Sequence, residues 1–356
     1  MDDIELRHQV FSTTGPLVTR EQARALGLAP RAVDRLVRTG AWVAVRRGVY
    51  AERAYVESCA HRTDLQRLAD DAACLRIARS HVRSHESAAV VLGMQVLLPD
   101  PPLTHVTRPD VRGSRHEHGV KHHLAPYRPE QVLTVDGVRV LDHPRTALDI
   151  AREHGVVRGI VAADSALRAG VCRECLWAAF ADMRCWPHST AVRAAIERSD
   201  PGSDSVGESL ARILVERLGR GRPQTQFGLR RDGRTAFVDL RIGRQLVELD
   251  GRLTYLPPSR GGVASRSPDQ VLWEEKRRQD WLCGFKLGMS RLTFDDVWGP
   301  GQAAALARLE REVADTEARF GTDISDLAPY VVRRLPRPVS CQLSCAPATR
   351  TPRRRR

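Results

Sequence analysis

Two acidic residues, Asp239 and Glu248, stand on neighbouring strand-like runs that one tight turn would set side by side. The runs are 235–242 and 245–250, separated only by Gly243 and Arg244. A two-residue loop that opens with glycine is a hairpin signal. Pairing Ile242 with Gln245 carries Asp239 opposite Glu248 on one face of the sheet. Like charges opposed across a strand pair are destabilising, so a chain that keeps them there has a use for a cation between them. Hard carboxylate oxygens suit Mg²⁺ or Mn²⁺. Asp250, two residues beyond Glu248, points the same way. Carboxylates around a divalent ion suit phosphodiester hydrolysis, in which water is activated and the charge developing on the phosphoryl group is offset. The chain shows no Ser/His/Asp triad or P-loop at this site, and no histidine occurs beyond His188.

The flanking segments must position these groups. Val206, Leu210, Ile213, Leu214 and Leu218 make one apolar helical stripe, with Glu208 and Arg212 off it. Glu208 can face the carboxylate pair, and in Ser205-Val-Gly-Glu208 it also completes a capping box. Residues 225–230 read as a strand and Arg231-Asp-Gly-Arg234 as a turn. A Pro-, Gly- and Ser-rich loop covers 255–267. Residues 269–283 read as a helix and 288–294 as a last strand. On that helix Trp273, Lys276 and Asp280 share a face, and Lys276 can pair with Asp280 or support the chemistry.

The resulting order, α-β-β-β-α-β over residues 203–299, resembles the very-short-patch-repair-like branch of the PD-(D/E)xK nuclease superfamily. The resembling segments are Gly207-Glu208-Ser209, Val238-Asp239, Val247-Glu-Leu-Asp-Gly251 and Trp273-Glu-Glu-Lys-Arg-Arg-Gln-Asp280. The resemblance implies a restriction-endonuclease-like domain in which Asp239 and Glu248 hold the metal and Asp250 and Glu208 assist. Asp250 stands where the superfamily usually has its lysine. The very-short-patch-repair branch also lacks that lysine, and Lys276 is the residue available to substitute.

Residues 1–52 read as a winged helix-turn-helix. Residues 4–11 form a first helix. Thr19-Arg-Glu-Gln22 is a capping-box start for a second, ending at Gly27. Pro30 opens a third, 31–39, closed by Gly40. The alternating run 41–50, broken at Arg47-Gly48, is the wing. Arg31, Arg35 and Arg38 on the helix and Arg46 and Arg47 on the wing are the expected DNA contacts. The start Val18-Thr-Arg-Glu-Gln and the end Arg-Arg-Gly-Val-Tyr50 resemble the winged-helix domain of AbiEi-type antitoxins, which implies a promoter or a cognate toxin as partner.

Residues 53–198 form a mixed α/β middle region similar to the one downstream of that domain in the antitoxins. Helices are expected over 61–81, 86–92, 146–153 and 157–169, and strands over 103–107 and 138–140. Nine of the twelve histidines fall between His81 and His154. The spacing in His116-Glu-His118 and His122-His123 matches no metal-ligand signature, and these read as exposed loop residues beside arginines. Cys172-Arg-Glu-Cys175 is a lone CxxC in a helical pattern and reads as buried thiols. Residues 200–205, rich in turn formers, read as a boundary. Residues 300–335 form a helical extension and 336–356 a basic tail ending in four arginines.

With 356 residues, 42% hydrophobic and 28% charged, the chain is long enough for two or three α/β (α+β) domains. Its 56 basic and 43 acidic residues give a net charge of +13, which favours a polyanionic partner. Scattered cysteines and an acidic, non-apolar start point to a cytoplasmic protein. No stretch reaches the roughly 20 apolar residues of a membrane span. The leading expectation is a DNA-binding protein with a Mg²⁺-dependent endonuclease domain. The alternatives are a non-catalytic regulator whose nuclease fold only binds DNA, and a middle region that serves as a partner-binding platform. The oligomeric state stays open.

Overall fold

The computed structural model describes residues 10–250 and 268–334. Residues 4–9 of the first expected helix, the 255–267 loop and the 336–356 tail lie outside the described residues. The chain divides into two units, Met1–Met94 with Leu98–Ile150, and Gln95–Leu97 with Ala151–Arg356.

The first unit begins with a helical stretch through 10–14 and strand β1 (Val18–Thr19). Thr19 caps the helix Arg20–Ala25: its hydroxyl accepts the Gln22 N–H at 3.1 Å, and the Gln22 side chain accepts the Thr19 N–H at 2.8 Å. Pro30 occupies the first turn of the helix Pro30–Arg38, where its missing N–H leaves no bond unmade. Strands β2 (Trp42–Arg46) and β3 (Val49–Glu52) come next, and the sheet order is β1-β3-β2. Trp42 anchors this module at 2% exposure, with Phe11 edge-on at 5.2 Å and Val18, Leu36 and Tyr50 around it. Truncating a buried Trp costs about 3–5 kcal/mol.

The helix Arg62–Cys74 packs Leu68 and Ala72 against Leu17, Val49 and Ala51 of the wing sheet. It is shorter than the expected 61–81 because the apolar stripe gives out: Leu75 is 46% exposed, and the chain turns to enter β4 (Val82–Arg83). With β5 (Thr104–Thr107), β6 (Arg115–Glu117), β7 (Val120–His123), β8 (Val132–Val135) and β9 (Val138–Leu141) it forms a six-stranded mixed sheet, order β6-β7-β5-β4-β9-β8. His122 and His123 are therefore buried rather than exposed in a loop, since β7 has a strand on either side. His116 and His118 are exposed.

In the second unit, helices Val156–Arg168, Arg173–Ala181 and Ser189–Arg198 lead to the helix Val206–Glu216. Cys172 is the cap of its helix, with Sγ accepting the Cys175 N–H at 3.2 Å, and Cys175 is buried. A five-stranded sheet comes after them: β10 (Gln224–Arg231), β11 (Arg234–Ile242), β12 (Gln245–Leu249), β13 (Gly288–Leu292) and β14 (Val331–Val332), in the order β13-β12-β11-β10-β14. The helix Pro268–Cys283 connects β12 to β13, which run parallel; the other pairs are antiparallel. Neighbouring residues Leu246 and Val247 enter different apolar clusters, one with Leu282 and Phe285, the other with Leu210 and Leu214. Side chains alternate across a strand, so the sheet is covered on both faces.

Arg212, expected off the apolar stripe of its helix, is fully buried. The helix packs on the sheet through one side and on Val161 through another, so its polar side must be neutralised internally. Arg212 donates to Asp164 at 2.7 Å, to Glu216 at 2.9 Å and to the Arg198 carbonyl at 2.8 Å. Asp164 also accepts from Ser209 Oγ at 2.7 Å and from the Asp200 N–H at 2.6 Å.

Candidate functional site

Arg31, Arg35 and Arg38 are exposed on the Pro30–Arg38 helix, and their spacing puts them on one face. Arg47 is exposed at the tip of the β2–β3 hairpin and Arg46 is half-buried. The structure also gathers basic residues that sequence reading missed: Arg20, Arg24, Arg76 and His118 line a pocket of ≈ 950 Å³ with Arg46 and Arg47, together with Glu21, Leu28, Pro30, Val33 and Tyr50. Arg20 is held by Asp34 at 2.5 Å and by the Tyr50 hydroxyl at 2.9 Å, and these bonds reinforce its charge. The i,i+4 spacing of Arg20 and Arg24 is visible in the sequence. Arg76 and His118 come from distant segments and leave no local signal.

Asp239, Glu208 and Glu248 lie near enough at the end of β12 for both glutamates to act on the Asp239 charge, but they do not bring three ligand atoms within 4.8 Å of one another. The β11–β12 ladder runs from Ile242↔Gln245 to Leu240↔Val247. The ladder ends there without the expected Asp239–Glu248 pair, and Asp239 Oδ2 instead accepts the Leu249 N–H at 2.9 Å. Burial and the neighbouring Glu208 carboxylate push the Asp239 pKa up to about 7; Glu248 adds to the rise, and the Leu249 N–H and Arg278 oppose it. Glu208 sits in the first turn of its helix. It accepts from Ser205 Oγ at 2.9 Å and from the Asp204 N–H at 2.7 Å, while Ser205 Oγ accepts the Glu208 N–H at 3.1 Å. Capping and proximity to Asp239 thus coexist in one side chain, and burial raises its own pKa. Gly207 permits this approach: a Cβ there would lie 2.2 Å from Leu249 Cδ2.

Glu248 is bound by Arg278 at 2.5 Å, and the same guanidinium donates to the Phe237 carbonyl at 2.6 Å and to Glu275 at 3.1 Å. Arg278 is the functional neighbour that sequence reading overlooked. Its signal was its place four residues before the core residue Leu282, on the inward side of the helix. Lys276 and Asp280 are exposed on that helix. The Asp250 N–H donates to the Leu292 carbonyl at 2.7 Å, which extends the β12–β13 pairing by one bond.

The donor set of Asp239, Glu248 and Glu208 is all oxygen, which fits Mg²⁺ or Mn²⁺ rather than a softer ion. An acid group held near pKa 7 among two other carboxylates gains from a cation. Arg278 supplies one positive charge here already. Among the described residues, groups of three ligand atoms within 4.8 Å of one another are formed elsewhere, by histidine-containing sets.

Helix, turn, helix and β-ribbon define the N-terminal module as a winged-helix fold. Residues 9–53 match the family described as transcriptional regulator, AbiEi antitoxin. No curated protein matches the chain. No helix among the described residues is long and apolar enough to cross a membrane.

Proposed function

We propose that the chain is a DNA-binding regulator of the AbiEi-antitoxin kind whose C-terminal domain is a divalent-metal endonuclease of the PD-(D/E)xK type. The arginine-lined pocket, whose lining comes mostly from the segment that matches the regulator family, supports the first half of this reading. Arg46 and Arg47 at the pocket, and Arg31, Arg35 and Arg38 on the exposed face of the adjoining helix, would meet phosphates and base edges. The second half is supported by the proximity of Glu208 and Glu248 to Asp239, whose pKa both raise beside β12. Mg²⁺ or Mn²⁺ held by Asp239 and Glu248, with Asp250 assisting, would supply an activated water and offset phosphoryl charge. Glu208 would assist from beside Asp239 and fixes the helix start. Lys276, exposed on its helix, would support the chemistry by orienting the water or steadying the developing charge.

The Arg278–Glu248 ion pair favours a second reading, in which the guanidinium replaces the metal, the domain only binds DNA, and the protein regulates its promoter or answers a cognate toxin. Supercoiled plasmid incubated with the protein in Mg²⁺, Mn²⁺ or EDTA decides between them. Metal-dependent nicking that Asp239→Ala abolishes is the expected result. Absence of nicking by the wild type on duplex, mismatched and single-stranded DNA selects the non-catalytic reading.

A further inference from the structure

Three imidazoles with no part in either site converge in the interior of the first unit. His85 begins the helix His85–Val91, His105 lies on β5 and His123 on β7. They are 1%, 1% and 3% exposed. One nitrogen from each lies within 4.8 Å of the other two. His105 Nδ1 is 2.9 Å from His123 Nε2, and the His85 ring stacks on His123 with centroids 3.9 Å apart.

The outer partners indicate which nitrogen each ring turns inward. Ser84 Oγ lies 3.0 Å from His85 Nδ1, which leaves Nε2 as the inward atom. Glu86 Oε2 lies 3.6 Å from His105 Nε2, the nitrogen away from His123. A hydroxyl or carboxylate on the far nitrogen of an imidazole is the usual outer arrangement around a metal, because it fixes tautomer and ring orientation. His85 also has φ +51°. A non-glycine residue in that region costs roughly 1–2 kcal/mol and persists only where its surroundings over-determine it. One N–H···N bond between His105 and His123 would satisfy a plain polar core. The third stacked ring, the left-handed backbone at His85 and the carboxylate behind His105 extend the arrangement beyond that one bond.

We propose that His85, His105 and His123 form a transition-metal site, with Zn²⁺ as its ion and with Ser84 and Glu86 orienting two of the ligands from outside. Imidazole nitrogens suit Zn²⁺ and its neighbours in the first row. Zn–N bonds of about 2.0–2.1 Å bring such nitrogens to a spacing that small side-chain adjustments of this cluster reach. The ion would tie the start of one helix to two neighbouring parallel strands, a structural role separate from the oxygen-donor site in the second unit.

The test uses the full-length chain, stripped with EDTA and titrated with ZnCl₂ in excess Mg²⁺. The expected result is one Zn²⁺ bound per chain with a raised melting temperature, and ligand-field absorption of a nitrogen-coordinated ion when Co²⁺ replaces it. His105→Gln and His123→Gln should weaken binding by more than about 100-fold, and Glu86→Gln by about 10–100-fold. His116→Gln should leave it unchanged. A folded His123→Gln chain that binds Zn²⁺ as the wild type does overturns the proposal. Where the histidine variants do not fold, the wild type decides alone: no Zn²⁺ uptake at micromolar concentration, or a Co²⁺ form without those bands, is equally fatal. Neither outcome touches the plasmid result, which depends on other residues and another ion.

Discussion

Asp239 holds its proton far more tightly in the folded chain than an ordinary aspartate does, because it is buried and faces Glu208 and Glu248. The folded state therefore binds more protons than the unfolded chain between the usual aspartate value and about 7. The sign comes from linkage: the stabilising contribution is complete below the unfolded value and is lost as pH rises through the folded one. Asp70 and Asp142, both raised to about 6 by burial, add to the same trend in the first unit. Asp239→Asn should remove its share. In EDTA the variant should melt like the wild type near pH 4 and be more stable at pH 8, by on the order of 2 kcal/mol. Melting curves at both pH values test this, and a difference that does not change with pH would contradict it. Residues are unevenly legible at this scale. The turn at Gly243 sets the register from Ile242↔Gln245 to Leu240↔Val247 as read from the sequence, but the Asp239–Glu248 pair expected beyond it is not in the ladder. Arg278 cannot be placed with equal ease, since its reach depends on how a helix is rotated about its axis. The buried histidines come from three separate segments, and no local spacing announces them.

Elements with strong local signals are the most readable. Thr19, Pro30 and Gly243 set their helices and hairpin by short-range chemistry, and each does so in the structure. Gly243 has φ +52°, the conformation a tight hairpin requires. Strand β7 escapes sequence reading because Val120-Lys-His-His123 has no apolar alternation; its burial comes from strands on either side rather than from its composition. The helix Val206–Glu216 reads as having one buried side, and Arg212 shows it has more. The turn formers of 200–205 mark a packed corner, where Asp200 caps Gly202 at 2.8 Å and accepts from Thr225 at 3.0 Å. The helix Pro30–Arg38 carries the prediction at this scale. Reversing Arg35 and Arg38 to glutamate should weaken DNA binding and flatten the plot of log affinity against log salt by about 0.9 for each phosphate no longer neutralised. An unchanged slope would remove that face from the interface.

At the scale of the whole molecule, the charge of +13 acts on any polyanion. Heparin and non-cognate duplex should bind at low salt and release steeply between about 50 and 200 mM; a filter-binding series checks this, and salt-independent retention would contradict it. The forces that hold the second unit together respond differently. Its Asp164–Arg212 pair has both side chains at 0% exposure, beyond the reach of counter-ions that screen surface charge. Brine strong enough to strip co-purifying nucleic acid should thus leave that helical layer standing, so the cleaned protein can be returned to dilute buffer in working order.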